Sequence, residues 1–535
     1  MNCNFRHLRR LLAPSASTSS GGGAGASIDA SAAASNGLSA AALIVVNAVV
    51  WWLCYVLSRA HLDPYGDMVE AYAWGINWVW GYDKHPPLSG WVAAAWFTVF
   101  PSRDWAFYLL TVANQALAFW WLYLAARRVV SERAAYVALG LTMLVPLFGP
   151  DTGFKYNANS AMLPWVAGFA WAMLDAIRRQ SSRYAVLAGV FVALTFLSKY
   201  YAAVVLGAVA LALLWQWRRD PYALVGPGVI AALVAAVLVT PHLAWAARHH
   251  WPTLHYAIDS HAVGPGAHPT WNALLFAATV AALPTLAFGA LLWLDRPRRR
   301  AAAGGSAAPA APPGLTSARG PGLGGLSWWA AVAFTFAAAA LTGTAVAPKW
   351  LIPAWLFYAW WLCELAPART DWAALAQPLR RGLGVFWVLM LGAALVLMLR
   401  EQARPLPTPT GLQARIAADV STAWRAATGT PLAFVGGSVP LAFAVSFYAP
   451  EHPVALVNTD FERSSWTTHA AVEGAGIAVL CVATDLPCPA LASAALGPAS
   501  SRQVLRYAAQ TTNAASPGSV VVELLIYPPR GPRPP

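Results

Sequence analysis

YGDMVEAYAWGINWVWGYDKHPPL (residues 65–88) packs acids, cations and aromatic rings into one segment directly after the first long apolar run of the chain. That position puts it just outside a membrane. Asp67 and Glu70 stand three residues apart, which on a helix places both carboxylates on one face. Tyr72, Trp74, Trp78, Trp80 and Tyr82 form an aromatic run suited to the lipid–water interface. Asp83, Lys84 and His85 follow, ahead of Pro86-Pro87, which stop the helix and fix the local backbone. Acid, base and cation gathered at a membrane surface point to chemistry on a lipid-borne substrate.

Composition sets the class. The chain has 535 residues, 58% hydrophobic and 11% charged, where a soluble domain carries about 25% charged residues. It reads as an all-α polytopic membrane protein. The net charge of +13 does not point to nucleic acid, because the basic residues lie in short clusters between apolar segments, where they report topology. The five cysteines, Cys3, Cys54, Cys363, Cys481 and Cys488, have no metal-finger spacing. Cys481 and Cys488 are the two able to pair, provided their domain faces an oxidising compartment.

Residues 1–38, rich in Ser, Ala and Gly after Arg6, Arg9 and Arg10, read as a disordered cytoplasmic tail. The segment 39–58 starts too late for an ordinary signal peptide and is long enough to span. Basic clusters at Arg127/Arg128/Arg133, Arg178/Arg179/Arg183, Arg218/Arg219, Arg296–Arg300 and Arg369/Arg380/Arg381 are all placed inside. Further spans then fall near 105–125, 134–149, 161–177, 184–198, 201–216, 223–240, 271–294, 327–346, 350–366 and 384–400, about eleven in all. The parity requires Ser89–Phe100 to lie along the outer surface, within one outer loop over 59–104. Residues 295–326, rich in Ala, Gly and Pro over 301–325, form a cytoplasmic linker. On this topology all four lysines, Lys84, Lys155, Lys199 and Lys349, fall at the outer ends of spans or in outer loops. Ten of the eleven histidines also fall outside, His7 being the exception. Outer loops are ordinarily poor in cations, and an anion held at the outer surface accounts for these.

Residues 401–535 hold no spanning segment. They alternate helices near 411–427, Val439–Tyr448 and Ala490–Leu496 with strands near Pro431–Val435, Val454–Val457, Ile477–Val482 and Val520–Tyr527. This is a small C-terminal α/β domain, extracytoplasmic by the parity of the spans. Gly436-Gly437-Ser438 after a strand reads as a plain turn, with an anion site at a helix start as the alternative.

The outer face of a bacterial inner membrane has no pool of nucleotide-activated sugars, so glycosyl transfer there draws on a polyprenyl-phosphate sugar. Such transfer needs a carboxylate base for the acceptor hydroxyl. It also needs cations or donors for the departing phosphate. Asp67 or Glu70 serves the first; Lys84, His85, Lys199, Arg248 and Lys349 serve the second, and Lys155 in GFKYNANS is a candidate for it on the same footing as Lys349. Each has a plainer reading. Asp67 caps a helix, Glu70 braces Asp67 or a lysine, the lysines snorkel, and Arg248 decorates a surface loop. The rings along 72–82 are an interfacial belt, with Tyr82 a candidate surface for the sugar.

The segment GDMVEAYAWG…WVWGYDKHPPL resembles the outer-loop signature of family 39-type glycosyltransferases of the GT-C fold. This group includes protein O-mannosyltransferases, the aminoarabinose transferase that modifies lipid A, and galacturonosyltransferases of the rhizobial lipopolysaccharide core. GVFVALTFLSKYYA (189–202), TPHLAWAARHHWPTLHYA (240–257) and PKWLIPAWL (348–356) are similar to later motifs of the group, and the resemblance covers about 40–365. It implies a GT-C fold and an inverting single displacement without a nucleotide. The family's first acidic position falls on Asp67 and its second on Glu70, although many members have the two adjacent. In the aminoarabinose transferase the Pro-Pro follows Glu-Lys, and that Lys contacts lipid phosphate. Here His85 precedes Pro86 and Lys84 lies one earlier, so both stay candidates. Some GT-C enzymes use a divalent metal; Asp67, Glu70, Asp83 and His85 are the set that would hold one.

The expected protein is a multi-pass enzyme of the bacterial inner membrane, with its N-terminus cytoplasmic and its C-terminal domain periplasmic. Its partners are a polyprenyl-phosphate sugar, a lipid or glycan acceptor and membrane lipids, with no nucleic acid. A transporter or flippase of lipid-linked sugars is the rival; it predicts mid-membrane charges and inverted repeats. Neither is seen in the sequence. A non-catalytic lipid-binding assembly protein is the other, and it predicts that Asp67 is dispensable.

Overall fold

Long runs of Ala, Leu, Val and Trp become helices because a backbone surrounded by lipid must satisfy its own hydrogen bonds. The computed structural model describes residues 39–59, 61–149, 155–259, 269–304, 322–344, 346, 348–510 and 517–530. The tail 1–38 and the linker part 305–321 lie outside them. The first fifteen helices are α1 (Ala40–Ser58), α2 (Asp67–Gly75), α3 (Leu88–Phe97), α4 (Asp104–Ala126), α5 (Glu132–Thr142), α6 (Ala158–Ala161), α7 (Leu163–Arg179), α8 (Ser182–Ser198), α9 (Ala202–Gln216), α10 (Tyr222–Arg248), α11 (Pro252–Asp259), α12 (Pro269–Gly304), α13 (Leu323–Thr342), α14 (Trp355–Glu364) and α15 (Trp372–Gln402).

Every expected span falls on one of these helices. Seven, among the described residues, are long and apolar enough to cross a membrane by length and composition: α1, α4, the run Ala158–Arg179, α10, Leu275–Pro297 of α12, α13 and α15. The other four expected spans, α5, α8, α9 and α14, hold 11, 17, 15 and 10 residues. Prolines border the two shortest: Pro146 follows α5, and Pro348 and Pro353 precede α14. Val225, Val229, Leu233 and Val237 lie exposed at every fourth position of α10, an apolar stripe fit for lipid. Inside the body, the Trp387 indole of α15 donates to the Asn47 side chain of α1 at 3.2 Å.

Between α1 and α4 the chain folds into α2 and α3. With 10 residues, α3 is far short of the ~30 Å hydrocarbon core at ~1.5 Å per residue. It packs tightly on α2: a Cβ at Gly75 would stand 2.0 Å from the Gly90 carbonyl oxygen. The aromatic run divides. Tyr72, Trp74 and Tyr82 are buried, and only Trp78 and Trp80 of the five rings are exposed. The belt expected over 72–82 is thus mostly core, because α2 is covered by α3 on one side and by the C-terminal module on another.

That module contains α16 (Gln413–Thr428), β1 (Phe434–Gly437), α17 (Leu441–Tyr448), β2 (Val454–Ala455), α18 (His469–Ala475), β3 (Ile477–Val482), α19 (Cys488–Leu496), β4 (Ser501–Gln510) and β5 (Pro517–Tyr527). The sheet order is β2-β1-β3-β5-β4. β1 pairs parallel with β2 and β3, and β5 antiparallel with β3 and β4. β3 reads as an unbroken apolar run because both its faces are buried. The strand expected at Pro431–Val435 begins only at Phe434, and β4 and α18 lie where neither was expected. At the Gly-Gly-Ser turn the Ser438 hydroxyl donates to Asp485 at 2.6 Å and accepts from the Val482 amide at 3.1 Å, so the turn is filled by its own side chain. Cys481 and Cys488 form a disulfide, their Cα atoms 5.5 Å apart.

Candidate functional site

Helix α2 is started by Asp63. Its carboxylate accepts from the amides of Asp67 at 3.1 Å and Met68 at 3.0 Å, which satisfies two of the first-turn donors. The capping role open to Asp67 is therefore taken by Asp63, and the Asp67 side chain meets other partners. Lys155 Nζ stands 3.0 Å from Asp67 and 2.6 Å from Asp63. It also lies over the Tyr65 ring. The Asn157 amide donates to Asp67 at 3.0 Å.

One turn along α2, Glu70 is buried and receives Lys84 Nζ at 2.5 Å. Burial pushes the Glu70 carboxyl up to about 8 against the pull of Lys84, and the charges of Asp67 and Asp83 push the same way. Burial pulls the Lys84 ammonium down, but Glu70 beside it more than offsets this and holds the lysine above its ordinary value.

Asp67, Glu70, Lys84, His85 and Lys199 line one cavity of about 60 Å³, together with Trp74, Ser89, Asn157, Asn159 and Tyr256. Lys199, just past the end of α8, donates to the Asn159 side chain at 2.9 Å. The His85 ring meets Trp74 and Tyr256 edge to face. Asn157 is fixed by a capping box at the start of α6. A second cavity of about 250 Å³ shares Lys84, His85, Lys199 and Tyr256, then continues between Tyr200, Tyr201, Val204, Leu254, Ala338 and Trp350. A small polar chamber thus adjoins a larger apolar one, with two lysines and a histidine at the junction.

The structure brings together Asp67, Glu70, Lys84, His85 and Lys199, with Lys155 behind Asp67. Tyr82 is fully buried, stacked on Trp74 at 5.0 Å, and lines neither cavity. Arg248 sits on the exposed end of α10 and lines neither cavity. Lys349 belongs to the 3-10 turn Pro348–Leu351, and its side chain lies outside the described residues. Asp63, Asn157, Asn159 and Tyr256 escaped the reading of the sequence. Both asparagines stand in GFKYNANS (153–160), where Lys155 drew the attention, and Tyr256 lies in the 240–257 motif. Among the described residues, no group of three or more His, Cys, Asp or Glu side chains is placed to hold a metal ion. Of the four residues considered for one, Asp83 is held by Arg463 at 2.6 Å and Glu70 by Lys84.

Comparison with known proteins bears on the fold and on part of the sequence. The family described as dolichyl-phosphate-mannose-protein mannosyltransferase matches residues 84–245. The lipid A galacturonosyltransferase RgtD of Rhizobium johnstonii is 28% identical over 255 residues, 45% of this chain. The chain spans about half of that relative's length, 51%. Crystal structures of ArnT from Cupriavidus metallidurans, one bound to undecaprenyl phosphate and one in the apo state, align over 90% of this chain and 97% of theirs, with a TM-score of 0.55 at 15% identity. The chain has the GT-C fold, and over part of its length it is similar in sequence to membrane glycosyltransferases.

Proposed function

We propose that the protein is an integral-membrane glycosyltransferase that moves a sugar from a polyprenyl phosphate to a lipid or glycan acceptor at the outer face of the bacterial inner membrane. One observation carries this reading: the polar chamber adjoins an apolar cavity, with Lys84, His85 and Lys199 lining both. A polyprenyl phosphate has the matching shape, a charged head on an apolar tail.

In this reading Asp67 accepts the proton of the acceptor hydroxyl. The acceptor oxygen then forms its bond to the anomeric carbon as the bond from that carbon to the phosphate oxygen breaks. The polyprenyl phosphate leaves with the electron pair, and Lys84, His85 and Lys199 stabilise its charge. Glu70 holds Lys84, and Lys155 and Asn157 hold Asp67. Direct displacement inverts the anomeric centre. Residues 401–535 form a periplasmic domain in this topology, and the Cys481–Cys488 disulfide supports that side because disulfides persist in oxidising compartments.

The test is transfer from radiolabelled polyprenyl-phosphate sugars to a membrane-lipid extract by the purified protein. Label moving to an acceptor, with polyprenyl phosphate released, is the expected result and identifies the sugar. Label that stays on the polyprenyl phosphate but crosses vesicle membranes points to a flippase and overturns the reading.

A further inference from the structure

Beyond the cavity itself, the C-terminal module reaches the stretch that carries the site. We infer that Arg463 of this module is a positioning residue for Lys84, acting through Asp83; the inference rests on the function proposed above. Arg463 places Nη2 at 2.6 Å and Nε at 3.2 Å from the same oxygen of Asp83. Asp83 is buried, its side chain 6% exposed. Its other carboxylate oxygen has no hydrogen-bond partner among the described residues. Arg463 is the hydrogen-bonded countercharge of this buried carboxylate, with Lys84 adding an attraction without a hydrogen bond, and a buried carboxylate that loses its paired partner is strongly unfavourable. Asp83 directly precedes Lys84, so whatever anchors it anchors the backbone from which Lys84 reaches Glu70 and the cavity.

The neighbouring residue is clamped as well. Tyr82 stacks on Trp74 at 5.0 Å and meets the Trp466 ring edge to face at 6.0 Å. The loop that presents Arg463 and Trp466 is built to be stiff. The Asp460 carboxylate accepts from the amides of Glu462 at 2.8 Å and Arg463 at 3.2 Å, and the Ser464 hydroxyl accepts from the Val457 amide at 2.9 Å. The Trp466 indole donates to the Ala455 carbonyl at 3.1 Å. At the other end of α2, Gly66 holds φ +78°, and a Cβ there would stand 2.2 Å from the Pro440 side chain. Any other residue at 66 meets both strain and a clash. The module thus grips the site stretch on both sides of Glu70. A lysine has a long flexible stem, and an error of ~1 Å in placing such a group costs ~10²-fold.

The test uses the full chain in detergent and measures equilibrium binding of undecaprenyl phosphate and of undecaprenol, which lacks the phosphate. Arg463→Gln is expected to weaken undecaprenyl phosphate about tenfold and leave undecaprenol unchanged, since the loss is in a coupled charge network and not in the apolar cavity. The double variant Asp83→Asn/Arg463→Gln removes the buried charge with its partner and is expected to recover most of that loss. Arg463→Lys keeps the charge without the planar fork, and an intermediate loss is expected; it carries the test should Arg463→Gln fail to give monodisperse protein. Wild-type phosphate binding in both Arg463 single variants, or equal weakening of both lipids, overturns the inference. A wild-type protein that does not distinguish undecaprenyl phosphate from undecaprenol removes the function proposed above, and this inference with it.

Discussion

Two acid–lysine pairs stand one helical turn apart on α2, and their surroundings make them unlike. The Asp67 side chain is 34% exposed and meets Lys155 and the Asn157 amide. The Glu70 side chain is 9% exposed and meets Lys84. Burial raises Glu70 to about 8. Spacing in the sequence makes the two carboxylates look equivalent; depth separates them. In the proposed reaction the more exposed acid, held by Lys155 and Asn157 just ahead of α6, handles the acceptor proton. The buried acid is a tether that keeps Lys84 aimed at the cavity. Different environments assigning different roles to adjacent carboxylates is a general pattern in enzymes.

The strongest way to break this comparison is Asp67→Asn. Asparagine keeps the shape and the hydrogen bond to Asn157 but accepts no proton, so transfer should fall by ~10²–10⁴-fold, the usual contribution of a general base. Donor binding, measured separately, should hold. Were Glu70→Gln to cause the larger loss, the roles of the two acids would be reversed. Next in size is Lys84→Met against Lys155→Met. Removing Lys84 takes a charged donor from the junction of the two cavities, and affinity for undecaprenyl phosphate should drop by ~10–100-fold. The fold should survive, because Glu70 without its lysine stays neutral and avoids an unpaired buried charge. Lys155→Met should spare donor affinity and lower the transfer rate, since Lys155 contacts Asp63 and Asp67 and lies behind the chamber. Equal losses of donor affinity in both variants would dissolve the distinction between the pairs.

The sequence exposed the charged half of this site and hid the neutral half. Asp67, Glu70, Lys84 and His85 were legible because they crowd one segment, and Lys199 because a lysine at what the basic clusters make the outer end of a span is unexpected. Asn157, Asn159 and Tyr256 carry no charge, and polar and aromatic residues near span ends are common. Asp63 reads as one more loop acid until the fold shows its carboxylate closing the start of α2. Tyr82 looked like an interfacial ring, yet three-dimensional packing puts it beneath Trp74. The helical body was read from hydropathy, but α5 and α14 are shorter than the spans expected there, because prolines nearby end their hydrogen-bond ladders. β4 stayed unread because SRQVLRYAAQ is an edge strand with half of its side chains exposed, and it lacks a full apolar face.

The subtlest prediction concerns Glu70→Gln. A carboxyl raised from 4.5 to about 8 on folding binds its proton more tightly in the folded chain than in the unfolded one. Its favourable contribution is complete below the unfolded value, declines as pH rises through that interval, and is gone above the folded value. The wild-type protein should therefore lose thermal stability between pH 5 and 8 beyond what its other groups cause, and glutamine, which does not titrate, should flatten that part of the curve. Lys84 adds nothing to the window, since it stays charged throughout. Glutamine still offers an oxygen to Lys84, so transfer should change by less than about tenfold, the difference between a neutral and a charged acceptor. A stability profile that Glu70→Gln leaves as steep as the wild type's would mean that Glu70 is ionised across this range. It would then differ from Asp67 in its partners alone, and burial would not be what separates the two acids.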